Sequence, residues 1–480
     1  MADVRPFRGV RFAPSVAPDL GLVLCPPYDV IDATDDARLR ARHPNNVVRL
    51  ELTTASVAGG PDERYQQAAD TLRSWQQDGA LVQDDAPAYY LHEATFANPA
   101  AGGAPATRRE LIAAVGLEPW DRRVVLPHEQ TYPRAKADRL RLLAATETNL
   151  SPILVFFQRE GQPDAQRAGH QAGPRDGAGP AGVRADSASA AQTPAARTIP
   201  DAVDAAWAWT SAREPDAAGT DADGVGHRLW VLTDAALSDG LRAYFADRPL
   251  FIADGHHRYE TALNHLEDRQ QQAGGDLPAD HPARFVMMHL IAEDDPGLVI
   301  LPLHRLVTGT TTMDFWGLVG ALADEFEVSL RDGFDGEGVD AVLAELHERG
   351  ERGQAIALFL SDDSELVLLI RAADAPFPSA IPADRDDAWR SLDVVLVDFM
   401  IIRPLLAALS LHAEDAISYT RDAHEAIAQV RQTRADIAVL VNATRPEQVA
   451  AVALAGERMP EKSTYFYPKA PTGLVFRLLT

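Results

Sequence analysis

Apolar positions recur along this chain in two periods. Short runs such as HRLWVLTD, PLFIAD, ARFVMMHLIA and LVILPLHRLV are continuous or alternating and predict strands. GQAIALFLS, SELVLLIRA and IAVLVNA repeat that pattern in the last third. Between them, DAALSDGLRAYFA, RDAHEAIAQVRQTR and PEQVAAVALAGE space their apolar residues at helical intervals and predict helices, the first with Asp234 as its N-cap. ANPAAGGAPAT, from Ala97 to Thr107, lies between YYLHEATF and RRELIAAVGLE and predicts a hairpin tip. Strand and helix alternate without a repeat of fixed period, so the predicted class is mixed α/β, of the α+β kind.

The pattern fails in one place. From Gly161 to Ala196 the chain is Gly, Ala, Pro, Gln and Asp with one Val and no other large apolar side chain. Such a stretch cannot bury enough surface to offset its ordering entropy. Residues 161–198 are therefore expected to be a disordered insertion. They separate an N-terminal part, 1–160, from a central part, 199–310, and a C-terminal α/β part, 311–480.

Composition narrows the function. With 480 residues there is ample core volume for two or three domains. No apolar run is long enough to cross a bilayer and no signal-like segment opens the sequence, so a cytoplasmic protein without a membrane partner is expected. One cysteine, Cys25, rules out an internal disulfide and a Cys-rich zinc site. A net charge of -25 argues against a nucleic-acid scaffold, which needs a basic surface.

Three polar runs interrupt the apolar frame. In FIADGHHRYETAL, Gly255 permits a tight turn after a strand, and Tyr259, Ala262, Leu263 and Leu266 share one helix face. That leaves His256, His257 and Arg258 at a helix N-terminus, where free N–H groups and the dipole favour an anion such as phosphate. Asp254 can hold Mg2+ or accept a hydroxyl proton. The bland alternative has surface histidines, with Arg258 paired to Asp254 or Glu260. Two adjacent helical histidines are poorly placed to share zinc.

In LPHEQTYPRAKADRLRLL, Pro133 suits a first helical turn, and Ala137, Leu140 and Ala144 predict a buried stripe. Arg134, Lys136, Arg139 and Arg141 spread over the rest, most of them as a solvated face, with one or two able to reach a phosphate. Glu129 sits before the helix, as a cleft general base or a helix cap; composition alone favours the cap. In MPEKSTYFYPKAPTGLVF, three prolines prevent a helix. Lys462, Ser463 and Thr464 bring a cation and two hydroxyls beside an aromatic wall of Tyr465, Phe466 and Tyr467. Such a loop binds a small polar molecule or ties down a C-terminus, and the residues alone do not choose.

Together with PPYDVI (Pro26 to Ile31) and LVILPLHRLV, these runs resemble a prokaryotic family, the domain of unknown function numbered ten-fifteen, labelled ParB-like. The D-G-H-H-R run is also similar to that of free serine kinases of the ParB and sulfiredoxin superfamily, which phosphorylate L-serine with a nucleotide donor. Those enzymes share a preceding P-H-E-Q run and a P-K-T-T type loop near the C-terminus. The resemblance implies a ParB/sulfiredoxin-like nucleotide-binding core with added N-terminal and C-terminal α/β parts. It implies Glu129 as the base, with Asp254 assisting or positioning Mg2+. Gly255, His256, His257 and Arg258 would hold the phosphates of ATP or ADP, with Lys462, Ser463 and Thr464 near the hydroxy acceptor. Sulfiredoxins carry a reactive Cys where this chain has His256, so thiolate chemistry is excluded there. Two other functions fit the same residues: a nucleotide-gated binding module without transfer, and a phosphate-ester hydrolase.

Overall fold

The computed structural model describes residues 2–52, 62–131, 133–159, 201–310, 315–331, 336–360 and 366–480. The expected disordered insertion, 161–198, and the side chain of Arg134 lie outside them. Two sheets organise the chain, and the class is mixed α/β as predicted.

The larger sheet has nine strands. Its order runs Val125–Leu126, Leu250–Asp254, Ile153–Phe157, Phe285–Ala292, Ala104–Gly116, Tyr89–Asn98, Gly226–Leu232 and Ala217–Thr220, with Val4–Arg5 also paired to Ala104–Gly116. Strands from segments 1–160 and 199–310 thus interleave in one sheet. The hairpin tip falls as expected, with Tyr89–Asn98 and Ala104–Gly116 paired in register from Tyr90↔Ile112 to Asn98↔Ala104.

The second sheet has six strands, in the order Glu327–Arg331, Leu366–Ala372, Gly353–Leu360, Ile437–Val441, His304–Val307 and Ile417–Thr420. LVILPLHRLV reads as one strand but forms two. Pro302 has no N–H to give a ladder. Val299–Leu301 pairs with Tyr465–Tyr467, and His304–Val307 leaves for the second sheet.

One continuous core joins the sheets. Phe156 and Phe251 from the first pack in the same cluster as Val307, Ile356 and Val439 from the second, with Phe466 in the same core. The C-terminal tail then crosses back to the first body, where Thr472 bridges Cys25, Phe476 bridges Val10 and Arg477 pairs with Asn149. The run from Met459 to Lys469 is therefore held at both ends, between the two sheets.

The helix Pro133–Thr146 forms where expected but buries a different face. Ala137 and Ala144 are exposed, whereas Arg139, Leu142 and Thr146 are buried. The correction has a specific cause. Arg139 donates to Glu51, itself buried, at 2.8 Å, so a charge expected in solvent is neutralised inside.

Candidate active site

Strand pairing explains why distant motifs meet. Val125–Leu126 and Leu250–Phe251 are parallel neighbours, so the loops leaving their carboxyl ends, 127–130 and the turn at Gly255, lie side by side. That end of a parallel pair is where open α/β sheets bind ligands. Gly255 has φ of 97° and caps the helix His256–Ala273. A Cβ there would sit 3.0 Å from Arg258 Nε, so both the backbone and the space call for glycine. No side chain caps this helix start. Tyr259 and Ala262 are buried, with Leu263 and Leu266 packed on the same cluster, as the spacing predicts.

His128, which its sequence context did not single out, ties the three motifs together. Its amide donates to His256 Nε2 (3.2 Å), and its carbonyl accepts from the Met459 amide (2.8 Å). Its Nδ1 lies 2.8 Å from the carbonyl of Ile252, and its Nε2 lies 3.1 Å from Thr464 Oγ1. Nδ1 must therefore carry the proton, leaving Nε2 as a bare acceptor facing Thr464 Oγ1. Burial first, and weaker neighbouring cations, push its pKa down to about 4. His256 is also fully buried and held well below the usual imidazole range, by burial first and then by His128.

Glu129 follows directly, about one-third exposed and opening into the cleft. Its carboxylate lies 3.4 Å from Thr464 Oγ1, 3.7 Å from His256 Nδ1 and 3.8 Å from His128 Nε2. Desolvation within the cleft, then the charge of Asp254, raise its pKa to about 7, against the opposing pull of Lys469 and Lys462. A carboxyl poised there can take a proton at neutral pH. Among the described residues no backbone amide of the following helix bonds to it, and its near contacts are those of the cleft.

Asp254 is differently placed. Lys469 Nζ bonds one oxygen and Arg258 the other. Arg258 also donates to the carbonyl of Pro152. The two cations overcome desolvation and hold the Asp254 carboxyl well below its usual range. The pairing of Arg258 with Asp254 is the alternative weighed from the sequence. A doubly paired carboxylate is suited to fixing Lys469 rather than to taking a proton or holding Mg2+. Arg258 is committed to Asp254, which leaves the amides of the helix start, rather than the guanidinium, as the donors available to an anion.

The C-terminal loop contributes unequally. Lys462, at φ 57°, is exposed to the cleft. Ser463 is turned inward, donating to the Pro460 carbonyl at 2.6 Å, so its hydroxyl is used by the loop itself. Thr464 faces Glu129. Tyr465 and Tyr467 are half-buried along the cleft, while Phe466 is in the core.

The cleft encloses about 1160 Å3 and reaches across to the second sheet. Arg421 and Arg458 also line the cleft, Arg458 next to Met459, whose amide bonds the His128 carbonyl. Arg421 stacks its guanidinium 4.4 Å from the Tyr465 ring and makes no ion pair among the described residues. Among the described residues the Arg458 guanidinium bonds only the adjacent Glu457 carbonyl, while its own carbonyl accepts from Trp389 Nε1. Lys469 and these arginines were missed in the sequence because Lys469 lies beyond the hydroxyl run and the arginines sit in unremarkable helical or loop contexts. Lys136, a candidate phosphate ligand, is instead paired with Glu260 at 3.1 Å.

Fold and site together define a mixed α/β protein with a large inter-sheet cleft, a carboxyl of raised pKa on its floor and, along its walls, arginines that make no ion pair among the described residues. The chain belongs to the family described as Protein of unknown function (DUF1015), which it matches over residues 4–173 and 190–395. No curated protein sequence matches it. Among solved structures, it is similar to a conserved hypothetical protein from Pyrococcus furiosus, with 13% identity over 77% of this chain and 95% of that one, at a TM-score of 0.32. It is also similar to a free serine kinase in complex with AMP, with 12% identity over 74% of this chain and 86% of that one, at a TM-score of 0.30. A third similar structure is a C-terminally truncated SbnI from Staphylococcus aureus, with 11% identity over 76% and 87%, at a TM-score of 0.31. Likeness at this level fixes neither substrate nor mechanism.

Proposed function

We propose that the protein is a phosphotransferase that moves a phosphoryl group from ATP or ADP to the hydroxyl of a small molecule, with free L-serine as the first acceptor to test. The observation that carries this reading is Glu129, a carboxyl with a pKa near 7 set among Thr464, His256 and an open helix start. Phosphoryl transfer asks mainly for positioning and charge neutralisation, and Glu129 with the cleft cations supports that reading.

In this reading Glu129 accepts the acceptor's hydroxyl proton as its oxygen bonds phosphorus and the donor's bridging P–O bond breaks. Thr464 orients Glu129, and Lys462 stands beside the acceptor. The amides of His256, His257 and Arg258, with Arg421 and Arg458, neutralise the phosphates. Mg2+ would enter on the nucleotide and offset its charge. Asp254 does not fit as its ligand, whereas Asp29, an exposed carboxylate lining the cleft, does.

Purified protein with Mg2+, ATP or ADP and L-serine, followed by phosphorus NMR, tests the assignment. Phosphoserine is expected with one of the two donors, and its absence with both removes the serine assignment. Phosphate release from phosphoserine without ADP would make the protein a hydrolase. Tight nucleotide binding without transfer to any hydroxyl compound would make it a nucleotide-gated module.

A further inference from the structure

Away from Glu129, the large sheet carries a second polar cluster in its interior. His92 and Glu110 are cross-strand partners, and His289 pairs with Ile112, two residues beyond Glu110 on the same strand. The three side chains therefore rise from one face. All are buried, none more than 1% exposed. Glu110 Oε2 lies 2.8 Å from His92 Nδ1 and 2.6 Å from His289 Nδ1, and the three ligating atoms lie within 4.8 Å of one another.

Proton counting shows that this cluster is incomplete as neutral side chains. A line of contacts runs from Glu110 to His92, from His92 Nε2 to His227 Nδ1 at 3.0 Å, and from His227 Nε2 to Asp221 Oδ2 at 3.1 Å. Each contact needs one proton, and both end groups are carboxylates that only accept. Two neutral imidazoles supply one proton too few. An additional positive charge has to enter the line. A metal ion at the Glu110 end meets that need with both imidazoles neutral. His92 then donates through Nε2 to His227, and His227 donates through its own Nε2 to Asp221, the orienting relay that metal-bound histidines usually have.

We propose that His92, Glu110 and His289 bind one divalent transition-metal ion of the zinc class. Two imidazole nitrogens and one carboxylate oxygen suit Zn2+, Fe2+ or Mn2+, and the buried setting makes the ion structural. Binding needs each Nδ1 bare, so each neutral imidazole carries its single proton on Nε2, and only a proton in excess of that count leaves to solvent. Arg108 lies 2.6 Å from the other oxygen of Glu110 and donates to the carbonyl of Pro468, the residue before Lys469. The ion thus braces the strand that anchors the Lys469 loop. The inference stands on these residues whether or not the cleft transfers phosphate.

The test uses the full chain purified without chelators. Elemental analysis should give about one such ion per chain. Stripping with a chelator should lower the Tm by several degrees and Zn2+ should restore it, with no restoration in His289→Ala. Co2+ added to the stripped wild type should give visible d–d bands that change in Glu110→Gln. Equal Tm before and after stripping, with no cobalt spectrum in the wild type, would overturn the site and leave an extra proton as the missing charge. An equal Zn2+ effect in wild type and His289→Ala would also overturn it. If His289→Ala fails to fold, the wild-type cobalt spectrum decides.

Discussion

Glu129 is worth most to activity in the form that costs most to fold. Its raised pKa means that the ionised carboxylate is disfavoured in the folded state. Turnover should rise with pH through an apparent pKa near 7, and Glu129→Gln should remove that limb while nucleotide affinity stays within about twofold. Stability carries the opposite sign. The contribution of the protonated group is whole below the unfolded-state value and is lost as pH climbs through the folded one. Glu129→Gln should therefore gain about 1 kcal/mol over wild type at pH 8, after allowance for solvent screening, and the gain should vanish at pH 4, as read from urea midpoints. Asp254 behaves in reverse. Its depressed pKa gives stability that is present at neutral pH and lost on acidification. Removing its partner by Lys469→Met should cost about 3 kcal/mol at pH 7, because the carboxylate keeps only Arg258. An unchanged denaturation midpoint would show that the pair is not buried as described.

Among elements, the corner between Leu250–Asp254 and His256–Ala273 was the most legible from sequence. A closed apolar run, a glycine and a helical stripe define it without any tertiary information, and the strand, the turn and the buried face all formed. Gly255→Ala should lower stability by about 1–2 kcal/mol, through the positive φ and the contact with Arg258, with a matching fall in Tm. The helix Pro133–Thr146 was legible in extent but not in orientation. Alanine marks a helix without marking its inner face, and contacts with Glu51, Asp138 and the Tyr28 ring hold the Arg139 side inside. LVILPLHRLV was misread for a related reason. Its apolar content is uniform, and the break at Pro302 matters because two different sheets compete for the halves.

Across the whole molecule, charge is unevenly spent. A chain with net charge -25 keeps Lys462, Arg421 and Arg458 facing one cleft. An anionic ligand drawn there should bind less well as salt rises, since these cations are at least partly solvated. Arg421→Ala and Arg458→Ala should each weaken nucleotide binding about tenfold, equivalent to about 1.4 kcal/mol, with unchanged Tm in the absence of nucleotide. A thermal-shift titration reads both quantities together, because a ligand of the native state raises apparent stability. An equal nucleotide-induced shift in wild type and both variants would remove these two arginines from the binding site.

The sequence by itself determined the element types, the glycine corner and the three polar runs, because periodicity, backbone freedom and local capping act over a few residues. It also placed Glu129 in a loop before a helix, though not its role. Only the tertiary structure decided that His128 would join those runs, that Lys469 would engage Asp254, and that His92, Glu110 and His289 would share one buried point. Those outcomes depend on which strands become neighbours, and strand order is set by the competition of whole sheets for one core rather than by any residue's own preference.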